Sequence, residues 1–379
     1  MSEPPLRRSS SAAVNARRWV VKIGSALTTS DGAGLNAASI GDWASQVAEI
    51  KKAGHDVVIV TSGAVAEGAV RLGWQERPRA LHQLQAAAAV GQMGLVRVWE
   101  LAFRDHGCIA AQILLTHEDV ANRERYLNAR STLWTLLQYG VVPVINENDT
   151  VATEEIKLGD NDTLAGLVSN LIDADLMVIL TDQQGLMTAD PRTHPDAQLI
   201  ERADLEDPHL IAIAGEGGTW GRGGMRTKVS AARLAARSAT STVIANGRRA
   251  NVLVDLANGE SVGTLLEAPP TKQAARKQWL GSTVHARGIL ILDAGACRVL
   301  RGQGRSLLPV GVLGVEGDFA RGELVSCTDS DGREIARGLS NYSAAEVSRI
   351  KGLATARVES VLGYSHEPEL IHRDNLVLL

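Results

Sequence analysis

The chain has 379 residues, of which 45% are hydrophobic and 22% charged, with a formal net charge of −4. That length points to two domains, and that composition to a globular protein whose core needs no disulfide or metal staple. The negative balance argues against a general nucleic-acid binder, and no apolar run approaches the roughly 20 residues of a membrane helix.

Residues 1–17 are rich in Ser, Pro and Arg, and are expected to form a disordered tail. They lack the apolar stretch of a secretory signal. The next segment, Trp19-Val20-Val21-Lys22-Ile23, reads as a short buried strand ended by Gly24. Helical spacing runs over 37–53, with Gly54 closing it. A second strand, 56–60, is β-branched and apolar on both faces, as strands of helix-covered parallel sheets are. Helices are predicted over 64–72 and, Ala-rich, over 80–103. A strand over 107–115 precedes a helix reaching 139. The strand 141–145 leads into a polar loop over 146–160. Asp162 or a neighbour caps a helix that ends at 171, and 175–180 is a further strand. This β-α alternation over 18–265 predicts a three-layer αβα sandwich around a mainly parallel sheet.

Pro269 and Pro270 mark an interdomain linker over 266–277. The remainder, 278–379, has short apolar runs broken by glycines. It reads as a small β-rich, barrel-like module with one helix over 343–354. Cys108, Cys297 and Cys327 are odd in number and widely spaced, which suits a reduced, cytoplasmic protein with inert thiols.

Several catalytic patterns fail. No Lys follows a Gly, so no Walker A loop exists, and Gly302-Gln303-Gly304 lacks the third glycine of a dinucleotide fingerprint. The informative positions are strand ends, where open parallel sheets collect ligands. Lys22-Ile23-Gly24-Ser25 puts a lysine inside an apolar strand. Either its ammonium meets an anionic partner or it snorkels to solvent. Thr61-Ser62-Gly63-Ala64 opens a helix, where N–H donors and Ser62 suit a bound carboxylate or an ordinary N-cap. Asn146-Glu147-Asn148-Asp149 and Gly159-Asp160-Asn161-Asp162 suit recognition of an ammonium group, or serve as Asx-turns and caps. Thr181-Asp182 ends a strand. The glycine-dense 217–224 leads into Met225-Arg226-Thr227-Lys228, which suits a polyphosphate cradle or a surface loop.

Taken together, these segments resemble the glutamate 5-kinase family of the amino-acid kinase superfamily. Pro143-Val144-Ile145-Asn146-Glu147-Asn148-Asp149 with Gly159-Asp160-Asn161-Asp162 carries the resemblance most specifically. Leu307-Leu308-Pro309-Val310-Gly311 and Gly317-Asp318-Phe319-Ala320-Arg321-Gly322-Glu323 resemble a PUA domain. The resemblance implies ATP-dependent phosphorylation of the glutamate side chain, with Mg²⁺ held by ATP oxygens and water rather than by a protein metal site. It implies Lys22, Lys228 and Asp162 as catalytic residues. Ser62, Gly63, Asp149 and Asn161 would bind substrate. Lys22, Gly24, Ser25, Thr181, Asp182, Arg222, Gly223, Gly224, Met225, Arg226, Thr227 and Lys228 would hold ATP. It further implies proline as a feedback inhibitor acting around 151–162, and a homo-oligomer. The chain departs from the family's usual residues at Ser25-Ala26, Met187 and Arg222. Other expectations are a kinase of N-acetylglutamate or aspartate, and an RNA-binding protein working through the C-terminal module.

Overall fold

In the computed structural model, the described residues are 11–30, 34–76, 78, 80–152, 161–191, 193–205, 207, 210–213, 224–268, 286–364 and 367–378. They fall into two units, one of residues up to Ala121 with Asn128–Lys272, the other of Gln273–Leu379 with Asn122–Leu127. The first unit begins with α1 (Ser11–Asn15), β1 (Arg18–Ile23), α2 (Ser25–Thr28), α3 (Ala37–Lys52), β2 (Asp56–Val60), α4 (Ala64–Arg71) and α5 (Leu81–Arg104). It continues with β3 (Ala110–Leu115), α6 (His117–Ala121), α7 (Arg123–Gln138, which belongs to this unit from Asn128), β4 (Val142–Glu147), α8 (Asn161–Leu171) and β5 (Leu176–Thr181). It ends with β6 (Arg202–Asp204), α9 (Leu210–Ile213), α10 (Met225–Ala236), β7 (Ser241–Asn246), α11 (Val252–Ala257) and β8 (Thr264–Glu267).

The strands form one eight-stranded sheet in the order β3-β4-β2-β1-β5-β7-β8-β6, parallel except where β7 meets β8. β1 lies inside it, with Lys22 opposite Val60 of β2 and Ile179 of β5. Side chains alternate between faces along a strand. Trp19, Val21 and Ile23 join one core with Ile40 and Trp43 of α3 and Leu95 and Trp99 of α5. Val20 and Lys22 therefore share the other face, where α8 packs on β1 and α10 packs on α8. Each fully buried Val or Ile contributes about 1.5–3 kcal/mol. A lysine in such a strand forgoes that gain and demands a partner.

The α4–α5 crossing is unusually close. A Cβ at Gly68 would lie 1.7 Å from the Ala87 carbonyl oxygen, and one at Gly91 would lie 1.9 Å from that of Ala64. Only hydrogen atoms fit at both places.

Four expectations are corrected. The chain is already ordered at α1, because Ala13 and Ala16 are small enough to bury beside Trp19, whose indole Nε1–H donates to the Ala16 carbonyl at 3.0 Å. The polar loop starts later than 146, since Asn146 and Glu147 complete β4 opposite Leu114 and Leu115. The helix expected up to 139 is two helices, with the Asn122 side chain accepting from Arg125 N–H at the start of the second. Strand β8 runs through Leu266 and Glu267, where a linker was expected, because Leu266 pairs with Thr242 and is buried; 269–277 lies outside the described residues. Residues 1–10 of the expected tail also lie outside them.

The second unit has its own core and a five-stranded sheet. Its strands β9 (Gly288–Leu292), β10 (Val312–Gly317), β11 (Leu324–Thr328), β12 (Glu334–Leu339) and β13 (Leu376–Leu378) lie in the order β10-β9-β11-β12-β13. The expected helix spans Ala344–Ile350 with a Ser343/Glu346 capping box. A further helix, Ala294–Gln303, was not expected. All three cysteines are free; Cys297 and Cys327 are buried, and burial pushes the Cys327 thiol up to about 12.

Candidate active site

Three charged side chains meet at the carboxyl ends of the central strands. Lys22 Nζ lies 2.6 Å from Asp162 Oδ1, and Lys228 Nζ donates to Asp162 Oδ2 at 3.1 Å. The Thr227 hydroxyl donates to the same Oδ2 at 2.8 Å. Asp162 is 1% exposed. Lys22 comes from β1, Asp162 from the first turn of α8 and Lys228 from the first turn of α10. The alternation of β1 aims Lys22 at that pair of helices, and both helices begin at the same edge of the sheet. The two ammonium nitrogens are thus separated by no more than one carboxylate and its two contacts. Burial alone would raise the Asp162 carboxyl, but Lys22 and then Lys228, with hydrogen bonds from Lys22 and Thr227, hold it well below its ordinary value of 3.8. Asp162 is not the helix cap that the sequence also allowed; its carboxylate goes to the lysines.

Beside this clasp lies a second cluster. Asn161, next to Asp162 on α8, directs Nδ2 to the Thr61 carbonyl (2.9 Å), Ser62 Oγ (2.9 Å) and Asn146 Oδ1 (3.1 Å). It ties the ends of β2 and β4 to α8. Its own Oδ1 is buried and has no hydrogen-bond partner among the described residues. A buried acceptor left in that state is costly. Asp149, two residues past β4, is buried as well. Gly63 precedes α4 with φ +114°, a left-handed conformation that favours glycine, so the first N–H groups of α4 open beside Ser62.

The remaining expected residues divide. Gly24 donates its N–H to the Leu180 carbonyl at 3.3 Å, continuing the β1–β5 edge, so it is engaged within the sheet rather than reserved for a phosphoryl group. Ser25 opens α2, and the N–H groups of Leu27 and Thr28 both turn back to the Gly24 carbonyl. Thr181 is buried at the end of β5, its hydroxyl donating to exposed Asp182 at 3.1 Å, while its carbonyl accepts from Gly247. Gly224 caps α10, and its carbonyl oxygen lies 2.8 Å from Thr227 Oγ1. Met225 is half-buried and Arg226 exposed. Arg222 and Gly223 lie outside the described residues, as do Gly159 and Asp160.

Sequence reasoning missed Gln92 of α5, whose Oε1 accepts from Asn146 Nδ2 at 2.8 Å, and Trp99, whose Nε1 donates to Thr61 Oγ1 at 3.1 Å. They brace the two strand ends from the helical side. An amide within an Ala-rich helix was the available signal for Gln92. The capacity of Asn146 itself was visible in the motif, but its place in the network was not.

The amino acid kinase family model matches residues 17–246, and the PUA domain model matches 288–362. The chain is 59% identical to the glutamate 5-kinase of Ralstonia nicotianae over 96% of its own length and 98% of that protein. It is 58% identical to that of Paraburkholderia phymatum, over 97% and 100%. It is 60% identical to that of Pseudomonas savastanoi pv. phaseolicola, over 96% and 99%. Among solved structures, a UMP kinase from Bacillus anthracis superposes with a TM-score of 0.48 at 15% identity, covering 66% of this chain and 96% of its own.

Proposed function

Because the chain belongs to the glutamate 5-kinases of the amino acid kinase family, we propose that the Lys22–Asp162–Lys228 clasp carries out its phosphoryl transfer. The reaction is ATP-dependent phosphorylation of the side-chain carboxylate of L-glutamate, giving ADP and L-glutamyl 5-phosphate, the opening step of proline biosynthesis.

The nucleophile is a carboxylate with an ordinary pKa near 4.3, so it is ionised at neutral pH and needs no general base. The barrier lies in bringing that anion to an anionic γ-phosphoryl group. Positioning and charge neutralisation supply the catalysis. Lys22 and Lys228 flank the transferring group and offset charge on its oxygens and on the attacking carboxylate. Asp162 positions both ammonium groups; with two lysines already upon it, it is not a free metal ligand. Mg²⁺, when bound with ATP, would be held by phosphate oxygens and water, as this ion prefers, and would supply further neutralisation of the phosphates. The backbone donor for phosphate in this stretch is the Ser25 N–H, because those of Gly24, Leu27 and Thr28 are engaged.

Ser62 and the N–H groups after Gly63 take the substrate α-carboxylate. The α-ammonium is met by Asp149 and by the buried Oδ1 of Asn161, an acceptor with no hydrogen-bond partner among the described residues. Thr181, Asp182, Arg222 and the run from Gly223 through Lys228 hold the nucleotide. Proline acts at the same pocket, around 151–162, and the enzyme self-associates.

The observation that carries this reading is the convergence of both lysines on one carboxylate. A coupled ADP-release assay with glutamate, N-acetylglutamate and aspartate, each with and without proline, tests it. Turnover is expected with glutamate and suppressed by proline. Preference for the acetylated substrate would remove the ammonium-binding role of Asp149.

A further inference from the structure

We infer that Glu67 is a positioning residue for glutamate, holding the segment around Leu35 against the Ser62–Gly63 turn. The inference rests on the reading that this turn takes the substrate carboxylate. Glu67 lies one turn into α4, with its side chain 13% exposed. Oε2 accepts the Leu35 N–H at 3.2 Å, and Oε1 accepts from Arg71 Nε at 2.6 Å. Leu35 is bridged to Thr29, and its neighbours are fixed by Ser30 N–H to the Gly34 carbonyl (3.0 Å) and Asn36 N–H to the Thr28 carbonyl (2.9 Å).

That segment sits directly on Gly63. A Cβ there would meet Thr28 Oγ1 at 3.1 Å and Leu35 Cδ2 at 3.2 Å. The left-handed backbone of Gly63 is thus covered by the residues that Glu67 grips. Helix α5 leaves room for the grip: a Cβ at Gly94 would fall 2.7 Å from Glu67 Oε1 and 2.4 Å from Arg71 Nη2. Arg71 also offsets a negative charge one turn from the place where an anion binds. Glu67 touches neither substrate nor nucleotide in this scheme. It acts through Leu35 on the orientation of the turn, and the nucleotide side of the site is untouched.

The test compares Glu67→Ala, Glu67→Gln and Ser62→Ala in the full-length protein, with KM for glutamate, KM for ATP and Tm measured on each. Loss of a hydrogen bond to a charged group is expected to raise KM for glutamate about tenfold in Glu67→Ala, with KM for ATP unchanged. Glu67→Gln keeps an oxygen for Leu35 N–H and is expected to stay within about twofold of the parent by the same principle. Should Glu67→Ala not fold, Glu67→Met, which keeps the length of the side chain but offers the Leu35 N–H no acceptor, reads the same glutamate-selective shift. An unchanged KM for glutamate in the variant read, an equal rise for ATP, or failure of Gln to restore it overturns the inference while Ser62→Ala still raises KM for glutamate. An unchanged KM for glutamate in Ser62→Ala overturns the carboxylate reading itself.

Discussion

Asp162 holds two ammonium groups, and the same contacts keep its carboxyl ionised far below its ordinary value of 3.8. A carboxyl with a depressed folded pKa contributes stability above its unfolded value, and that contribution falls away as pH drops through the folded one. Asp162→Asn is expected to lose stability by an amount that is constant from pH 8 down to about 5 and shrinks below about 4, as urea unfolding across pH would show. Lys22→Ala is expected to lower kcat by about 10²–10³, measured by ADP release at saturating substrate. Asp149→Asn would remove the charge pair proposed with the substrate ammonium and is expected to raise KM for glutamate more than it lowers kcat. Lys22 was legible in the sequence because a lysine in an otherwise apolar strand is conspicuous. That both its oxygen partner and the second lysine come from helix starts on one face was not legible, since Asp162 reads equally well as a cap. Gln92 was hidden because its role depends on which face of a long helix meets β4.

The elements that build the site are set by packing as much as by propensity. The pair Gly68 and Gly91 lets α4 and α5 touch backbone to backbone. The N-terminus of α4 carries the Ser62–Gly63 turn, so this crossing positions the group proposed to bind substrate. Gly91→Ala has nowhere to put its methyl and is expected to cost about 1–3 kcal/mol of stability, together with a higher KM for glutamate. Chemical unfolding and steady-state kinetics on the same preparation check both. The apolar strands β1, β2 and β5 and helix α3 were legible because periodicity and turn glycines agree there. Helix Ala294–Gln303 was not, because Gly295 and Gly302 read as breakers, although the Asp293 side chain accepts the Ala296 N–H at 2.6 Å in a regular cap. The end of β4 was misread because Asn146 and Glu147 are loop-favouring by type, whereas pairing with β3 draws them into the sheet.

Across the whole molecule the two units keep separate cores. Every described residue of the clasp and of its amide cluster belongs to the first. A chain ending at Ala268 is expected to unfold cooperatively and to keep glutamate-dependent ADP release; loss of turnover from a folded product would assign part of the site to the second unit. No described helix is long and apolar enough to cross a membrane. The layered architecture was legible from alternation alone, but the strand order was not, because β1 pairs with an early strand on one side and a late one on the other.

That placement of β1 has a kinetic side. The Arg18 N–H finds its acceptor in Asp175, 157 positions further along the chain. At ribosomal rates of about 5–20 residues per second, β5 emerges on the order of ten to thirty seconds after β1. Through that interval one edge of an apolar strand waits on the nascent chain without its final neighbour, where sticking to other chains is the hazard. The charge on Lys22 is expected to act then as a gatekeeper within Trp19-Val20-Val21-Lys22-Ile23. One ammonium group would then guard the polypeptide while it is being made and, in the proposed reaction, work on phosphate once it is finished.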